Sequence, residues 1–314
     1  MWDQFPIIKE ELAAFEDYLS TKLASRNQFL ESASKRMVLS GGKRLRPAFT
    51  IIAALHGDYN REQVFPAAAS VEILHTATLI HDDIIDNAKT RRGQPTLSER
   101  HSNNLAVYTG DYLLSKSMRL LLETGLKPEK LDVVARAISL LCEGEVDQYL
   151  SKYTLESVNH YLKRIIGKTG VLFSASLVLG AKTANLSDDV ARQLGRFGNS
   201  FGAAFQIRDD LLDILSNQKI EGKPVLNDLK EGIATLPVIL AVKNNPVLKE
   251  QIEIYFKGNG EINSLLKQII ASGGVKDAEQ LKYRYIKKCR GYLEKIPYSP
   301  FNGALNEIVG WLQA

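Results

Sequence analysis

Two acidic groups share one spacing: Asp82, Asp83 and Asp86, and Asp209, Asp210 and Asp213. Helical residues step by about 100°, so the first and last carboxylates of each group lie about 40° apart on one face and can share a cation. Carboxylate oxygen is the ligand magnesium prefers, and that ion takes few protein oxygens and usually bridges them to phosphate. A single group of this kind is most simply a solvated acidic helix end. Three acids at a helix C-terminus, however, repel one another and oppose the macrodipole, which costs stability unless a cation compensates. Apolar Leu79 and Ile80 precede the first group, and Leu211, Leu212, Ile214 and Leu215 thread the second, which a solvated face would not show. The pair of groups predicts metal sites that together hold several ions around one diphosphate.

Cations accompany them. Gly41-Gly42-Lys43-Arg44-Leu45-Arg46-Pro47 sets two or three positive side chains after a flexible glycine pair at the start of a helix, where backbone N–H groups also receive an anion. Arg91 and Arg92 follow the first acids by five and six residues, within reach of phosphate oxygens beside a metal. Lys168-Thr169, after Gly167, and Lys223, after Gly222, are unremarkable alone and gain weight from this company.

The elements that position these residues read as nearly all helix. Apolar residues recur at three- and four-residue spacing, as in Leu12, Phe15, Leu19 and Leu23, and strict alternation is hard to find. Breaks fall at Gly41-Gly42, Gly57-Asp58, Arg92 to Pro95, Lys127-Pro128, Asn185 to Asp188 and Gly222 to Pro237. One helix is expected from about Glu62 to Asp86, with Pro66 in its first turns, and another from about Asp188 to Leu215 behind a Ser187 cap. Each ends in an acidic group. After Gly232 the helical pattern continues to the C-terminus with no assignable motif.

At 314 residues, 45% apolar and 24% charged, the composition is that of an ordinary globular protein and marks no seam, so residues 1–314 are read as a single domain. A formal charge of +4 is too small to make nucleic acid or an anionic membrane the main partner, so local clusters matter more than the sum. Cys142 and Cys289 are far apart and carry neither a disulfide framework nor a zinc site, which fits a reducing cytoplasm. The first residues lack the basic region of a signal peptide, and the longest apolar stretch, Val171 to Ala181, is shorter than a membrane span requires.

The ordered run of motifs resembles the trans-type isoprenyl diphosphate synthases, a family that includes medium- and long-chain members making hexaprenyl or heptaprenyl diphosphate. The resemblance rests on Ser40-Gly-Gly-Lys-Arg-Leu-Arg-Pro47, Glu72-x-x-His75-Thr-Ala-x-Leu-Ile-His-Asp-Asp-Ile-Ile-Asp86, Arg91-Arg-Gly93, Lys168-Thr169, Gly202-x-x-Phe-Gln206-x-x-Asp-Asp-x-x-Asp213 and Gly222-Lys-Pro224 through Thr235-Leu-Pro237. It implies an all-α fold, a single-domain antiparallel helical bundle of the isoprenoid synthase type around a deep central cavity. It also implies a prenyltransferase that joins isopentenyl diphosphate to an allylic diphosphate and releases diphosphate.

By this resemblance Asp82, Asp86 and Asp209 bind magnesium, up to three ions per site, supported by Asp83, Asp210 and Asp213. Lys43, Arg46, His75 and Arg92 hold isopentenyl diphosphate. Arg91, Lys168, Thr169, Gln206 and Lys223 hold the allylic diphosphate, and Asp82, Asp86, Arg91, Lys168 and Asp209 carry the catalysis. Two positions depart from the family pattern: Leu226 and Ile233 stand where many members have glycine and lysine, although Asp228 remains. Ala77, five residues before Asp82, with Leu74 and Ile73 farther back, offers no aromatic plug, so a product longer than farnesyl is expected. A bundle in which Ala77 merely lets two helices approach is the plainer alternative. A homodimer is typical of the family, some relatives need a small partner subunit, and no nucleic-acid contact and at most peripheral membrane contact are implied. A terpene cyclase would usually replace the second acidic group, and an inert subunit would lose acids or the arginine pair; both sets are intact here.

Overall fold

The computed structural model describes residues 2–215 and 226–313. Lys223, with Gly222 and Pro224, lies outside the described residues. Helices run in the order α1 (Pro6–Lys22), α2 (Gln28–Val38), α3 (Leu45–Ala54), α4 (Arg61–Ile85), α5 (Leu97–Arg100), α6 (Asn103–Glu123), α7 (Pro128–Leu150) and α8 (Val158–Ile165). A π-helical turn, Ile166–Gly170, leads into α9 (Val171–Thr183), followed by α10 (Asp188–Leu215), α11 (Asn227–Lys230), α12 (Leu236–Asn244), α13 (Val247–Phe256), α14 (Ile262–Ala271), α15 (Gly274–Leu293) and α16 (Asn302–Trp311). Among the described residues the all-α expectation holds but for one ladder that periodicity could not reveal, β1 (Thr90–Arg91) paired antiparallel with β2 (Gln94–Pro95). Two-residue strands are too short to alternate visibly.

The chain groups into two compact units. Unit 1 takes residues 1–134, 175–195 and 297–305; unit 2 takes 135–174, 196–296 and 306–314. In unit 1, α4 packs along α3 and α6, and its residues from Val64 to Leu74 are buried almost without interruption. A helix apolar on all sides is a core helix. Asn60 caps it by accepting from the Glu62 N–H at 2.9 Å, so α4 starts at Arg61 and Pro66 falls inside the helix, just past its first turn, where it removes one backbone donor. Ser70 and Ser117 satisfy one another inside the α4–α6 contact, with Oγ atoms 3.0 Å apart and Ser117 Oγ donating to the Ser70 carbonyl at 2.9 Å.

In unit 2, α10 carries the sequence from Arg196 to the second acidic group. Phe173 meets Phe201 edge-on at 5.0 Å, and Phe197 stacks on Phe201. As expected, Ser187 caps α10, its Oγ accepting from Val190 N–H at 3.4 Å. The α12–α15 pairing is the principal helix contact of the C-terminal third. The run Val158–Thr183 is long and apolar enough to cross a membrane, but 61% of its most apolar 18-residue stretch is buried within the protein, as in a core helix.

Candidate active site

The first acidic group closes α4 in unit 1. Asp82 is half-buried, Asp83 buried, and Asp86, the C-cap, exposed. One helical step turns Asp83 about 100° away from Asp82, and its carboxylate is engaged differently: Oδ1 accepts from Arg91 Nε at 2.7 Å. Its Oδ2 is buried and accepts no hydrogen bond among the described residues. Burial lifts the Asp83 carboxyl above the usual range, against the pull of Arg91.

The β1–β2 hairpin presents the arginine pair. Its central residues, Arg92 (φ 51°) and Gly93 (φ 74°), are both left-handed, the geometry of a type I′ turn. Arg91 therefore reaches back to Asp83 while Arg92 Nη1 donates to the Gly41 carbonyl at 2.7 Å. Gly42 has φ 133°, a backbone conformation that favours glycine, and a Cβ there would stand 3.3 Å from Arg92 Nη1. Arg44, within the same basic run, serves the fold: it pairs with Glu72 Oε1 at 2.7 Å and with Glu16, joining the start of α3 to α4 and α1.

These side chains border a cavity of about 490 Å³. Arg36, Arg44, Arg91, Arg92 and Arg100 line it with His75, while its one lining carboxylate, Glu72, is paired with Arg44. Burial, with Arg46, Arg91 and Arg92 nearby, holds His75 well below its ordinary pKa, so the imidazole is neutral at pH 7. Burial also pushes Arg46 down to about 10, opposed by Glu72, which leaves it a cation at neutral pH. Lys43 is exposed in the adjoining loop. Arg36 and Arg100 are sites that sequence reasoning missed: neither stands in a motif, and tertiary packing brings them to the cavity. Such a concentration of guanidinium forks suits a diphosphate.

Unit 2 holds the second group. Asp209 is exposed, Asp210 buried and Asp213 half-buried, the same order of exposure along i, i+1, i+4 for the first two positions. Asp210 is held by three donors: Tyr161 O–H at 2.5 Å, Gln206 Nε2 at 3.0 Å and the Leu236 N–H at 3.4 Å. Burial nonetheless raises its pKa, and burial beside Asp210 raises that of Tyr161. Gln206 in turn accepts from Thr169 Oγ1 at 3.0 Å, and Lys168 pairs with Glu145 at 2.9 Å. The predicted Lys168, Thr169 and Gln206 thus come together with the acids, while Tyr161 and Glu145 carry no sequence signal.

Close backbone approach makes this geometry possible. A Cβ on Gly202 would fall 2.4 Å from the Gly170 Cα, so the π turn bearing Lys168 and Thr169 lies directly on α10. Asp213 Oδ1 accepts from the Asn227 N–H at 3.0 Å, and its Oδ2 is buried without a hydrogen bond among the described residues. Leu226, at a position where glycine is common, adopts the left-handed conformation (φ 56°) with its side chain 1% exposed. The backbone that glycine permits is kept, and buried apolar surface offsets the strain. Ile233 is half-buried. Asp228 is raised to about 7 by burial and by Asp210, Asp213 and Glu231.

In each unit one acidic group keeps a buried carboxylate oxygen without a donor, Asp83 Oδ2 in unit 1 and Asp213 Oδ2 in unit 2, which is the chemistry a cation satisfies. Among the described residues no three His, Cys, Asp or Glu side chains converge as a closed cluster. Ala77, Leu74 and Ile73 are all buried in α4.

Residues 27–272 match the model of the polyprenyl synthetase family. The chain is 34% identical over 306 residues to heptaprenyl diphosphate synthase component 2 of Geobacillus stearothermophilus, covering 97% of this chain and 95% of that one. Among solved structures, heptaprenyl diphosphate synthase of Staphylococcus aureus superposes with TM-score 0.91 at 31% identity, over 98% of each chain. A polyprenyl synthase from Caulobacter crescentus, complexed with calcium and isoprenyl diphosphate, superposes with TM-score 0.89 at 30% identity, over 98% of this chain and 95% of that one. The fold is therefore that of the isoprenoid synthases, and the chain belongs to the polyprenyl synthetase family of prenyl-transferring enzymes.

Proposed function

We propose that the protein joins isopentenyl diphosphate to an allylic prenyl diphosphate in the trans configuration and repeats the step beyond farnesyl. The observation that carries this reading is the arginine-lined cavity of unit 1, in which His75 and the hairpin arginines stand beside the first acidic group. The heptaprenyl products in the relatives' names and the lack of an aromatic at Ala77, Leu74 and Ile73 support the longer product. The family match spans residues of both compact units, which supports reading residues 1–314 as one catalytic domain.

Asp82, Asp86 and Asp209 would hold magnesium, up to three ions, with Asp83, Asp210 and Asp213 fixing the positions of their neighbours; the calcium in the Caulobacter complex supports a divalent ion. When bound, the metal neutralises the charge that grows on the leaving diphosphate. Arg91, Lys168 and Lys223 add donors to the allylic diphosphate, and Thr169 and Gln206 orient them. Lys43, Arg46 and Arg92 grip isopentenyl diphosphate, with His75 offering a hydrogen bond. As the allylic C–O bond breaks, the double bond of isopentenyl diphosphate supplies the electron pair for the new C–C bond. The proton lost from the adjacent carbon passes to the released diphosphate. Apolar walls keep water from the cation.

A homodimer is proposed from the exposed apolar stripe of α6, and the word component in one relative's name supports testing for a small partner subunit. The free thiols Cys142 and Cys289 support a cytoplasmic location. Purified protein given farnesyl diphosphate, excess isopentenyl diphosphate and magnesium should release diphosphate and yield longer prenyl chains by chromatography, and EDTA should abolish both. Absence of condensation, with and without candidate small subunits, refutes the assignment.

A further inference from the structure

Residues 274–296 of unit 2 carry seven Lys or Arg and three Asp or Glu, a balance of +4 that equals the formal charge of the whole chain. The rest of the molecule sums to zero, so its net charge resides on α15 and the residues just after it. One face of α15 buries Ala278, Tyr285, Ile286, Cys289 and Leu293. The other exposes Lys276, Arg284, Lys287, Lys288 and Arg290, with Tyr283 42% exposed among them. Among the described residues Lys276, Arg284, Lys287 and Lys288 form no ion pair with a carboxylate, so this field is not neutralised locally. The acids of the same face, Glu279 and Glu294, are outnumbered.

Beside this face lies a groove of about 740 Å³. Leu155, Leu162, Ile239 and Leu281 give it an apolar floor, and Lys243, Lys249 and Arg284 a cationic rim. Its two acids are engaged: Glu156 pairs with the buried Arg164, and Asp277 accepts from Asn244 Nδ2 at 2.7 Å.

We propose that unit 2 docks through α15 and this groove on an anionic lipid bilayer, lipid phosphates meeting the cations and an acyl chain lying along the apolar floor. Charge complementarity selects the anionic surface, and the exposed tyrosine suits the headgroup level. Nucleic acid would satisfy the cations and leave the apolar floor without a role. The inference rests on the prenyl-transfer reading for its purpose, since a product longer than farnesyl is too apolar to leave into water and is best released at a bilayer.

Co-sedimentation with vesicles tests it. The full-length protein should pellet with vesicles of phosphatidylcholine containing about 30% phosphatidylglycerol, remain in solution with pure phosphatidylcholine, and be released by about 0.5 M salt. Each Lys or Arg near such a surface is worth about fivefold in affinity, so the double variant Lys287→Glu, Arg290→Glu should bind tenfold or more weakly. Its condensation of soluble substrates should be unchanged, which separates failure of this proposal from failure of the catalytic reading. Equal binding to neutral vesicles, no binding to anionic ones, an unaffected double variant, or displacement from vesicles by equimolar single-stranded RNA would each overturn it.

Discussion

Within each acidic group the middle aspartate is the buried one, and it is hydrogen-bonded. Asp210 is buried under Tyr161, Gln206 and a backbone donor, and Asp83 is tied to Arg91. A buried carboxylate stripped of one donor bears the desolvation cost that the donor had met. Tyr161→Phe removes only the hydroxyl, so it should cost about 1–3 kcal/mol of stability and lower kcat more than it raises KM. Thermal unfolding and steady-state kinetics measure the two effects. Asp228 gives a pH signature. Its native pKa of about 7 lies above the ordinary aspartate value of about 3.9. Between these values the folded state keeps a proton that the unfolded chain has lost, so stability falls as pH rises from about 4 to 7 and stays lowered above. Asp228→Asn, which mimics the protonated form, should therefore unfold like the wild type near pH 4 and several degrees higher at pH 8, in EDTA, by differential scanning calorimetry. A constant difference across pH would contradict this.

At the scale of elements, close approach decides where the chemistry lies. The π turn rests on α10 because Gly170 and Gly202 have no side chains to separate them. Gly202→Ala should overpack this contact by about 1–3 kcal/mol and displace Thr169 from Gln206. Calorimetry should show the loss, and allylic-substrate KM should rise. Along α4, Ala77 stands five residues before Asp82, buried and small. Ala77→Phe should shorten the product by one or more isoprene units, read by chromatography of the dephosphorylated products. An unchanged distribution would leave Ala77 a packing residue only, the part that Ser70 plays against Ser117 of α6 two turns earlier in α4.

At the scale of the whole molecule, α6 leaves Tyr108, Met118 and Leu122 64, 49 and 73% exposed at helical spacing. Large apolar side chains aligned in this way mark an interaction surface, and a second copy of the chain is the proposed occupant. Sedimentation should give twice the chain mass for the wild type and the single mass for Tyr108→Glu, Leu122→Glu. This stripe is apolar and lies on unit 1, whereas the α15 face is cationic and lies on unit 2. The two surfaces therefore differ in the partner chemistry they select, and charge reversal on α15 should leave the mass unchanged.

The sequence by itself determined the helical class, the limits of α4 and α10, and the two acidic groups, because helix periodicity and an i, i+1, i+4 spacing are local properties of the chain. It also suggested Arg91, Arg92, Lys168 and Thr169 as companions of the acids; folding sets Arg91 on Asp83 and Thr169 on Gln206, which donates to Asp210, while Arg92 turns to the Gly41 carbonyl. The tertiary structure decided the rest. Arg44 and Arg46 sit two residues apart in one basic run, yet Arg44 is engaged with Glu16 and Glu72, which come from 28 residues away on either side. Arg36 and Arg100 reach the cavity, and Tyr161 reaches Asp210 across 49 positions, through packing that no local pattern encodes. Which carboxylate oxygens are buried and which remain open to an ion depends on solvent exclusion by distant elements, and that is a property of the folded molecule alone.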